Sequence, residues 1–306
     1  MRKFYSSENG YVEKSDCSQE SWINVESPDI EDFNYLRNNL GVPESFLESA
    51  ADGDERPRFD HEGTWRLTII RVPRKIKGQS DRYDTVTLAI ITNEELLITI
   101  SHNPTEMLTD FITDSQKKHL TGINKPDFIL RMLYSSTYWY LNYLRDINNA
   151  VTSAVEELRT KVRNNDLYNF MMLQKSLVYF NTSLRGNMTL VDKIDRMFVD
   201  NCDPELLEDV EIEMQQAQNT VTVYTEILDS TMDTLSSVIS NNLNEVMKKM
   251  TSVSIILMLP TLIASFYGMN VAVAFGNKPL AFWGIICFSL LLAFLIFMLL
   301  RRIKWL

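Results

Sequence analysis

Cysteine and histidine are scarce in this chain of 306 residues, which contains three of each. The cysteines lie far apart without CxxC spacing, so we expect reduced thiols and neither a zinc site nor a disulfide framework. The histidines show no metal-ligand or catalytic-triad spacing, and no glycine-rich phosphate loop occurs. The sequence therefore predicts neither an enzyme nor an organic cofactor. Among the histidines, His61 between Asp60 and Glu62 is the candidate for a cytoplasmic metal contact.

Acidic residues are missing from the C-terminal part of the chain, because all 40 aspartates and glutamates lie at or before Glu245. Six of the 30 lysines and arginines follow that residue. The part up to Glu245 thus has 24 basic against 40 acidic residues, a net charge of −16, and the remainder carries +6. A strongly acidic domain argues against nucleic acid as a partner. It is compatible with concentrating cations near a pore, although acidity also serves solubility.

Charge is lacking from two long apolar runs, 23 residues from Val253 to Phe275 and 21 residues from Leu280 to Leu300. Each reaches the roughly 20 residues with which a helix crosses a bilayer core about 30 Å thick. Two lysines directly precede the first run and three basic residues follow the second, whereas Lys278 is the sole charge between them. By the positive-inside rule, this pattern predicts two spans in contact with membrane lipid and both termini in the cytoplasm.

The first 120 residues predict an α/β cytoplasmic domain, because β-rich runs alternate with short helical patterns. The predicted strands are Trp22–Glu26, Thr64–Val72, Thr85–Thr92 and Leu96–Ser101. The predicted helices are Ile30–Leu40, Glu44–Ala50 and Pro104–Lys117. Loops are predicted at Ala51–Pro57 and Pro73–Ser80.

The rest of the chain predicts helices only. A helical hairpin at 121–200 is expected to run from Pro126 to about Arg163, break at Asn164-Asn165 and resume to about Val199. A long helix is predicted at 201–270, since Pro204 suits a helix start and no further proline or glycine occurs before Pro260. At 1.5 Å per residue it would be a rod of about 100 Å, with the first span at about 250–270. An outer loop at 271–279, a second span at 280–300 and a basic tail at 301–306 follow.

Two faces of the long helix keep a 3-4 spacing. One face is apolar except for Thr231 and is predicted to pack on other helices: Leu207, Val210, Met214, Ala217, Val221, Tyr224, Leu228, Thr231, Leu235 and Val238. The second face, called here the polar stripe, begins with Glu226, Ser230, Asp233, Ser237, Ser240 and Asn244. The polar stripe continues into the first span with Met247, Thr251, Ser254, Met258, Thr261 and Ser265.

A solvated surface explains the polar stripe outside the bilayer but not inside it. Within the span, small hydroxyl residues can pack against neighbouring helices, and methionines can be ordinary packing residues. The alternative is that the stripe lines a water-filled axis with apolar constrictions at its methionines. Because two spans from one chain cannot enclose such an axis, this alternative requires a ring of identical subunits.

The first span ends in Tyr267-Gly268-Met269-Asn270. In isolation the glycine could be only a helix C-cap. Here the motif closes the first of two spans in a chain with a basic, aromatic tail, and in this context it resembles the CorA-type magnesium/cobalt transport proteins of the two-span GxN superfamily. The stretches 244–250 (NEVMKKM) and 260–265 (PTLIAS) resemble the pore helix of that family. Trp22-Ile23-Asn24-Val25 and Arg56-Pro57 resemble landmarks of its N-terminal domain.

This resemblance implies a funnel-shaped homopentamer in the inner cell membrane that takes up Mg²⁺, with Co²⁺ or Ni²⁺ as further cargo. It implies a selectivity filter of Gly268, Met269 and Asn270. The implied pore lining and gates are Thr261, Met258, Ser254, Met250, Met247, Asn244 and Asp233. A ring of asparagines suits Mg²⁺, because amide oxygens can accept hydrogen bonds from its tightly held water shell without stripping it. Loop 271–279 departs from relatives that carry acidic residues there.

The family is also thought to sense cytoplasmic Mg²⁺ through carboxylates between subunits, and the resemblance places Asp209 at one such position. Ser49 occupies the position of its expected partner, so Glu48 would have to substitute, with Asp52 and Asp54 as weaker candidates. The alternative is that Asp209 is a simple solvated carboxylate.

We therefore predict a divalent-cation channel that is gated by cytoplasmic divalent cations. A zinc transporter of the same superfamily is the nearest alternative, although Met269 favours the magnesium branch. A two-span membrane receptor or scaffold is an alternative of another class. It does not predict a continuous polar stripe through the first span.

Overall fold

The computed structural model describes residues 2–6, 10–14, 21–76, 82–118, 124–158, 164–198, 201–269, 281–303 and 305. The chain divides into two units, Met1–Ser230 and Thr231–Leu306. The described residues form seven strands and seven helices, and one long helix contributes to both units. The predicted finer division of the first unit, at 120 and 200, stays a prediction.

The strands are β1 (Arg2–Ser6), β2 (Val12–Lys14), β3 (Ser21–Glu26), β4 (Arg58–Glu62), β5 (Trp65–Lys75), β6 (Tyr83–Thr92) and β7 (Leu97–Ser101). They form one sheet in the order β2-β1-β3-β7-β6-β5-β4. β3 and β7 pair in parallel, with Trp22 opposite Leu97, and the other neighbours are antiparallel. A parallel pair requires a crossover connection, which the segment containing β4 to β6 provides.

The helices are α1 (Ile30–Asn38), α2 (Glu44–Ala51), α3 (Glu106–Lys117), α4 (Lys125–Leu158), α5 (Asn164–Phe198), α6 (Pro204–Tyr267) and α7 (Ala281–Arg302). α4 and α5 pack on each other and on β5. α6 lies along α5, since the Gln218 amide donates to Asn181 Oδ1 at 2.7 Å and the Gln174 amide donates to Asp229 Oδ1 at 2.8 Å.

Both faces of the sheet are covered, because successive side chains of a strand point to opposite faces. On one face, alternate residues of β3, β5, β6 and β7 form a core with α1 and α2. On the other face, α3, α4 and α5 contact β5, and Trp22 lies within 6.0 Å, between ring centroids, of four aromatic residues: Tyr5, Tyr11, Phe111 and Phe128. Burial on both faces explains why β5 and β6 have nearly continuous apolar runs.

The two landmarks of the N-terminal domain are packing positions. Trp22, Ile23, Asn24 and Val25 are 0–1% exposed in β3. The Trp22 indole N–H donates to Thr99 Oγ1 at 2.8 Å. A Cβ added at Gly186 of α5 would lie 2.8 Å from Pro57 Cγ, so the helix approaches this proline as closely as only a glycine permits.

The structure confirms the α/β class, the four predicted strands and the three short helices. β1, β2 and β4 were not predicted, and β2 and β4 are the edges of the sheet. The predicted break between the two helices is misplaced, because Asn164 and Asn165 belong to α5; α4 is described up to Leu158, and residues 159–163 lie outside the described residues. The turn predicted from Pro73 is also wrong at its start, since β5 still pairs with β6 up to Lys75.

Candidate ion pathway

α6 and α7 are long and apolar enough to cross a membrane. Only 6% of the apolar window of α6 and 11% of that of α7 is buried, whereas the core helix of a soluble protein would be mostly buried. The predicted spans therefore direct their apolar side chains away from their own chain. This is the burial expected of helices surrounded by lipid and by other subunits.

The polar stripe is exposed throughout the second unit. Its members there are Asp233, Ser237, Ser240, Asn244, Met247, Thr251, Ser254, Met258, Thr261 and Ser265. By contrast Ser252, two residues before Ser254 and about 200° around the helix, is 0% exposed. The side of α6 that its own chain covers is therefore not the side that carries the polar stripe. Among the described residues, packing within one chain does not explain why hydroxyl side chains occur along the stripe.

The stripe hydroxyls present acceptor oxygens. Ser254 Oγ donates to the Met250 carbonyl at 2.9 Å, and Thr261 Oγ1 donates to the Leu257 carbonyl at 2.8 Å. Each hydroxyl has a single hydrogen, so its outward lone pairs can only accept. The water shell of a cation donates hydrogen bonds outward, and a lining of such acceptors suits a hydrated cation.

The candidate gate methionines are among the more exposed residues of the span. Met247 is 55% exposed, Met250 is 65% exposed and Met258 is 67% exposed. Ordinary packing within one chain therefore does not explain them. Rings of flexible thioether side chains from several copies would form apolar constrictions of adjustable width.

The helix ends at the glycine of the filter motif. The Gly268 N–H donates to the carbonyls of Ala264 (3.0 Å) and Ser265 (3.2 Å). Its backbone is not in the left-handed region that a glycine C-cap adopts, so the C-cap alternative is not supported. Met269 is 53% exposed. Asn270 and the outer loop lie outside the described residues, so the filter assignment of Asn270 stays a prediction.

The basic residues before the first span include an ion pair. Lys249 Nζ lies 2.7 Å from Glu245 Oε1, one helical turn earlier, and both side chains are exposed. The hydrogen bond and the charge of Lys249 lower the pKa of Glu245. The last acidic residue of the chain is thus partnered by a lysine on its own helix.

The candidate regulatory carboxylates are exposed, namely Asp209, Glu48, Asp52 and Asp54. Asp209 lines a cleft of about 610 Å³ together with Asp110 and Asp114 of α3, but Arg131 of α4 lines it too. In the part of the chain that the structure describes, no three His, Cys, Asp or Glu side chains are arranged to hold a metal ion. One chain therefore does not bring Asp209 and Glu48 into a metal site.

Ser49 is engaged by a residue that sequence analysis missed. Its hydroxyl donates to the Ser45 carbonyl at 2.8 Å and accepts from Arg58 Nη2 at 3.0 Å. The same guanidinium pairs with Glu55 and, at 2.6 Å, with Asp60. Ser49 thus contributes a neutral hydroxyl that is already hydrogen-bonded to Arg58, whose charge is offset by Glu55 and Asp60, and it supplies no anionic ligand for a metal ion.

The two carboxylates that flank the histidine candidate, His61, bind other residues. His61 lies in the edge strand β4 between Asp60, which binds Arg58, and Glu62, which accepts a hydrogen bond from Ser45 Oγ at 2.6 Å. The structure therefore does not support the predicted metal contact at His61.

The similarity to known proteins extends over nearly the whole chain. Residues 18–302 match the model of a family described as CorA-like Mg²⁺ transporter protein. The chain is 24% identical over 291 residues to the cobalt/magnesium transport protein CorA of Methanocaldococcus jannaschii, which covers 93% of this chain and 90% of that protein.

Two solved structures show the same fold. The complete structure of the CorA magnesium transporter from Methanocaldococcus jannaschii matches with a TM-score of 0.81 and 22% identity, over 100% of this chain and 99% of that one. The cytoplasmic domain of ZntB from Vibrio parahaemolyticus matches with a TM-score of 0.63 and 13% identity, over 78% of this chain and 98% of that one.

Proposed function

Because this chain belongs to the CorA-like Mg²⁺ transporter family, we propose that it forms a homopentameric channel that admits Mg²⁺ to the cell, with Co²⁺ and Ni²⁺ as further cargo. Members of this family are membrane transporters rather than enzymes, and α6 and α7 fit its two spans. The resemblance seen in the sequence is confirmed by the family match. The pentamer, the pore and the choice of ion belong to the proposal.

The observation that carries the proposal is the exposure of the polar stripe from Asp233 to Ser265 on one helix. Polar side chains inside a bilayer cost free energy unless they face water or one another. A ring of copies with the stripe turned inward gives these side chains a wet axis and covers the apolar faces of α6 with neighbouring helices. A receptor or scaffold does not require a continuous polar stripe along a membrane-spanning helix.

We assign ion selection to Gly268, Met269 and Asn270. The Asn270 amide oxygens, with backbone oxygens at Gly268, would accept hydrogen bonds from the water shell of Mg²⁺. Neutral acceptors bind a hydrated dication weakly enough for it to leave again, which fast conduction requires.

We assign the gate to the rings of Met250 and Met258. Narrow thioether rings exclude water and thereby block ions, and a small tilt of α6 would widen them. Pro260 lies next to this segment and has no N–H to donate to the Ile256 carbonyl, so the backbone ladder of α6 lacks one hydrogen bond there. Movement about Pro260 would change the Met258 ring without unfolding the helix.

We further propose that both termini are cytoplasmic in the inner cell membrane, as the basic flanks of the two spans favour. For regulation by cytoplasmic divalent cations, the candidate carboxylates are Asp209 of one subunit and Glu48 of its neighbour, with Asp52 and Asp54 as weaker candidates. A bound dication would neutralise their mutual repulsion and hold neighbouring subunits together. Since Ser49 stands where a carboxylate is expected and is hydrogen-bonded to Arg58, this site has few anionic ligands, and we expect it to bind divalent cations weakly.

Purified protein in liposomes tests the channel and the filter. We expect Mg²⁺ uptake driven by an inside-negative potential, lost or made unselective by Asn270→Ala. Asn242→Ala, which removes the same side chain from an exposed part of α6, is the matched control and should conduct normally. Equal, equally selective flux in both variants would remove Asn270 from the filter.

A zinc transporter of the same superfamily is the alternative, and the likeness to the ZntB cytoplasmic domain shows only a shared fold. It concerns the cytoplasmic domain and not the pore, whereas the family model spans both. Competition between Mg²⁺ and Zn²⁺ in the same liposomes separates the two, because a zinc transporter would conduct Zn²⁺ undiminished in excess Mg²⁺.

A further inference from the structure

The C-terminal end of α7 carries a groove that the candidate ion pathway does not use. It is an open hollow of about 570 Å³. Its walls are five apolar side chains between Phe294 and Leu299, followed by Arg301 and Arg302. None of the described residues that line it belongs to α6, so this hollow, called here the arginine groove, is separate from the polar stripe.

The arginine groove faces away from its own chain. Ser289 and Leu300, which are both 8% exposed, mark the covered side of α7. Met298 comes nine residues after Ser289 and therefore lies about 180° around the helix. Met298 is 58% exposed, and Phe294, one turn earlier, is 56% exposed. The groove thus lies opposite the side that the chain itself covers.

The outward side of α7 suits lipid rather than another helix. Between Ala281 and Leu300, Ser289 has the single hydroxyl, and its Oγ donates to the Ile285 carbonyl at 2.7 Å on the covered side. α7 therefore offers neighbouring subunits no outward polar stripe of the kind that α6 has. In the proposed ring, the stripe of α6 turns toward the axis and acyl chains of the bilayer cover the outward side of α7. This placement of α7 rests on the proposed function.

The arginines of the groove are unpaired cations in a basic unit. The second unit contains two carboxylate side chains, Asp233 and Glu245, against six basic residues. Glu245 pairs with Lys249. Arg301 and Arg302 are exposed, and neither has an ion-pair partner among the described residues. Their N–H groups are therefore available to an anion at the membrane surface.

We propose that the arginine groove binds an anionic phospholipid. Residues three or four apart on a helix are neighbours, so Phe294, Met298 and Arg302 form one line along α7. An acyl chain packs along the apolar part of this line, and the phosphate lies against the guanidinium groups at its end. Arginine suits a phosphate because two parallel N–H donors match two phosphoryl oxygens. A phospholipid without net charge gains the same apolar contact but is less favoured beside two cations.

Native mass spectrometry of the full chain in detergent tests this site. Delipidated protein is mixed with equal amounts of dioleoyl phosphatidylglycerol and dioleoyl phosphatidylcholine, in EDTA so that no divalent cation bridges the headgroups. We expect bound phosphatidylglycerol to exceed phosphatidylcholine at least about tenfold, because each arginine near an anionic headgroup favours it several-fold. The two lipids should bind about equally to Arg301→Gln/Arg302→Gln.

Lys248→Gln/Lys249→Gln is the matched control, because it removes two exposed charges directly before the first span but none from the groove. It should keep the preference of the parent protein. Excess glycerophosphoglycerol, which is the same headgroup without acyl chains, should displace little of the bound lipid, because it gains no contact with the apolar walls. Circular dichroism and a melting curve check the fold, and Arg302→Gln alone serves if the double variant does not fold.

Three results would overturn the proposal. Equal binding of both lipids by the parent protein would mean that another helix covers the groove. An equal loss of preference in both double variants would mean general attraction by surface charge. Full displacement by glycerophosphoglycerol would mean a site for a free anion. Because Mg²⁺ flux in liposomes tests the channel independently, normal flux beside any of these results would overturn the lipid site alone.

Discussion

The two units of this chain differ in what covers their apolar side chains. In the first unit, β5, β6 and β7 are covered on both faces by the chain's own helices, and residues such as Ile70 and Leu88 are 0% exposed. In the second unit, the apolar windows of α6 and α7 are 6% and 11% buried. The apolar side chains of the first unit are therefore covered within one chain, whereas those of the second are not, and the proposed function assigns them to lipid and to further copies. Stability should depend on the first unit and conduction on the second.

The largest effect should come from deleting one aromatic side chain in each unit. Trp22→Ala empties a site that is 0% exposed and should lower the free energy of unfolding of the first unit by about 3–5 kcal/mol. Phe288→Ala in α7, where the ring is 56% exposed, should change stability little. Thermal melting of both variants in detergent measures the difference. Similar losses would contradict the assignment of Phe288 to lipid.

The next effect separates conduction from stability within α6. Ser254→Leu places a bulky apolar side chain on the polar stripe and should lower Mg²⁺ flux at least about tenfold, because the axis becomes narrower and drier. Since Ser254 is exposed in its own chain, the melting temperature should hardly change. Val253→Leu, at a neighbouring position off the stripe, is the control and should conduct normally. Undiminished flux through Ser254→Leu would place the stripe against neighbouring helices.

A third, smaller effect concerns Ser49 in the first unit. Ser49→Asp adds a carboxylate where the family resemblance expects one, next to an Arg58 guanidinium that already pairs with Glu55 and Asp60. With more anionic ligands, we expect Mg²⁺ to bind the channel roughly tenfold more tightly and to close it at lower concentration. Calorimetry and liposome flux measure the two quantities. Adding Asp209→Ala should cancel the gain, and a gain that survives it would exclude Asp209 from the site.

Hydrophobic pattern alone predicted much of the fold. The spans and β5 to β7 were predictable because their environment is uniform, lipid for the former and a covered sheet for the latter. β4 escaped prediction because its sequence, Arg58–Glu62, is mostly charged and its stability comes from pairing with β5 at the sheet edge. Its pairing also positions Arg58 at Ser49, so the missed strand and the missed residue have one cause.

The candidate site divides in the same way. The 3-4 spacing is sufficient to predict that the polar stripe lies along one side of α6, and its side chains in the second unit are exposed in the structure. The contact between Arg58 and Ser49 could not be predicted, because the two residues belong to different elements, β4 and α2, whose relative position the sequence does not show. Local patterns show which side of an element is polar, whereas contacts between distant elements require the structure.

The smallest effect should come from an acidic contact in the first unit. Burial, followed by the charges of Asp195, Asp192 and Glu208, raises the pKa of Glu211. Its ionised form is therefore disfavoured in the folded state, and this penalty is present above the raised pKa and absent below the ordinary value for glutamate. Glu211→Gln should melt slightly higher than the parent at neutral pH and equally at acidic pH. Glu213→Gln removes the same charge two residues along the helix and is the control. Melting curves of both variants at neutral and acidic pH test the prediction, because an equal rise in melting temperature for both would reflect only the total charge of an acidic domain.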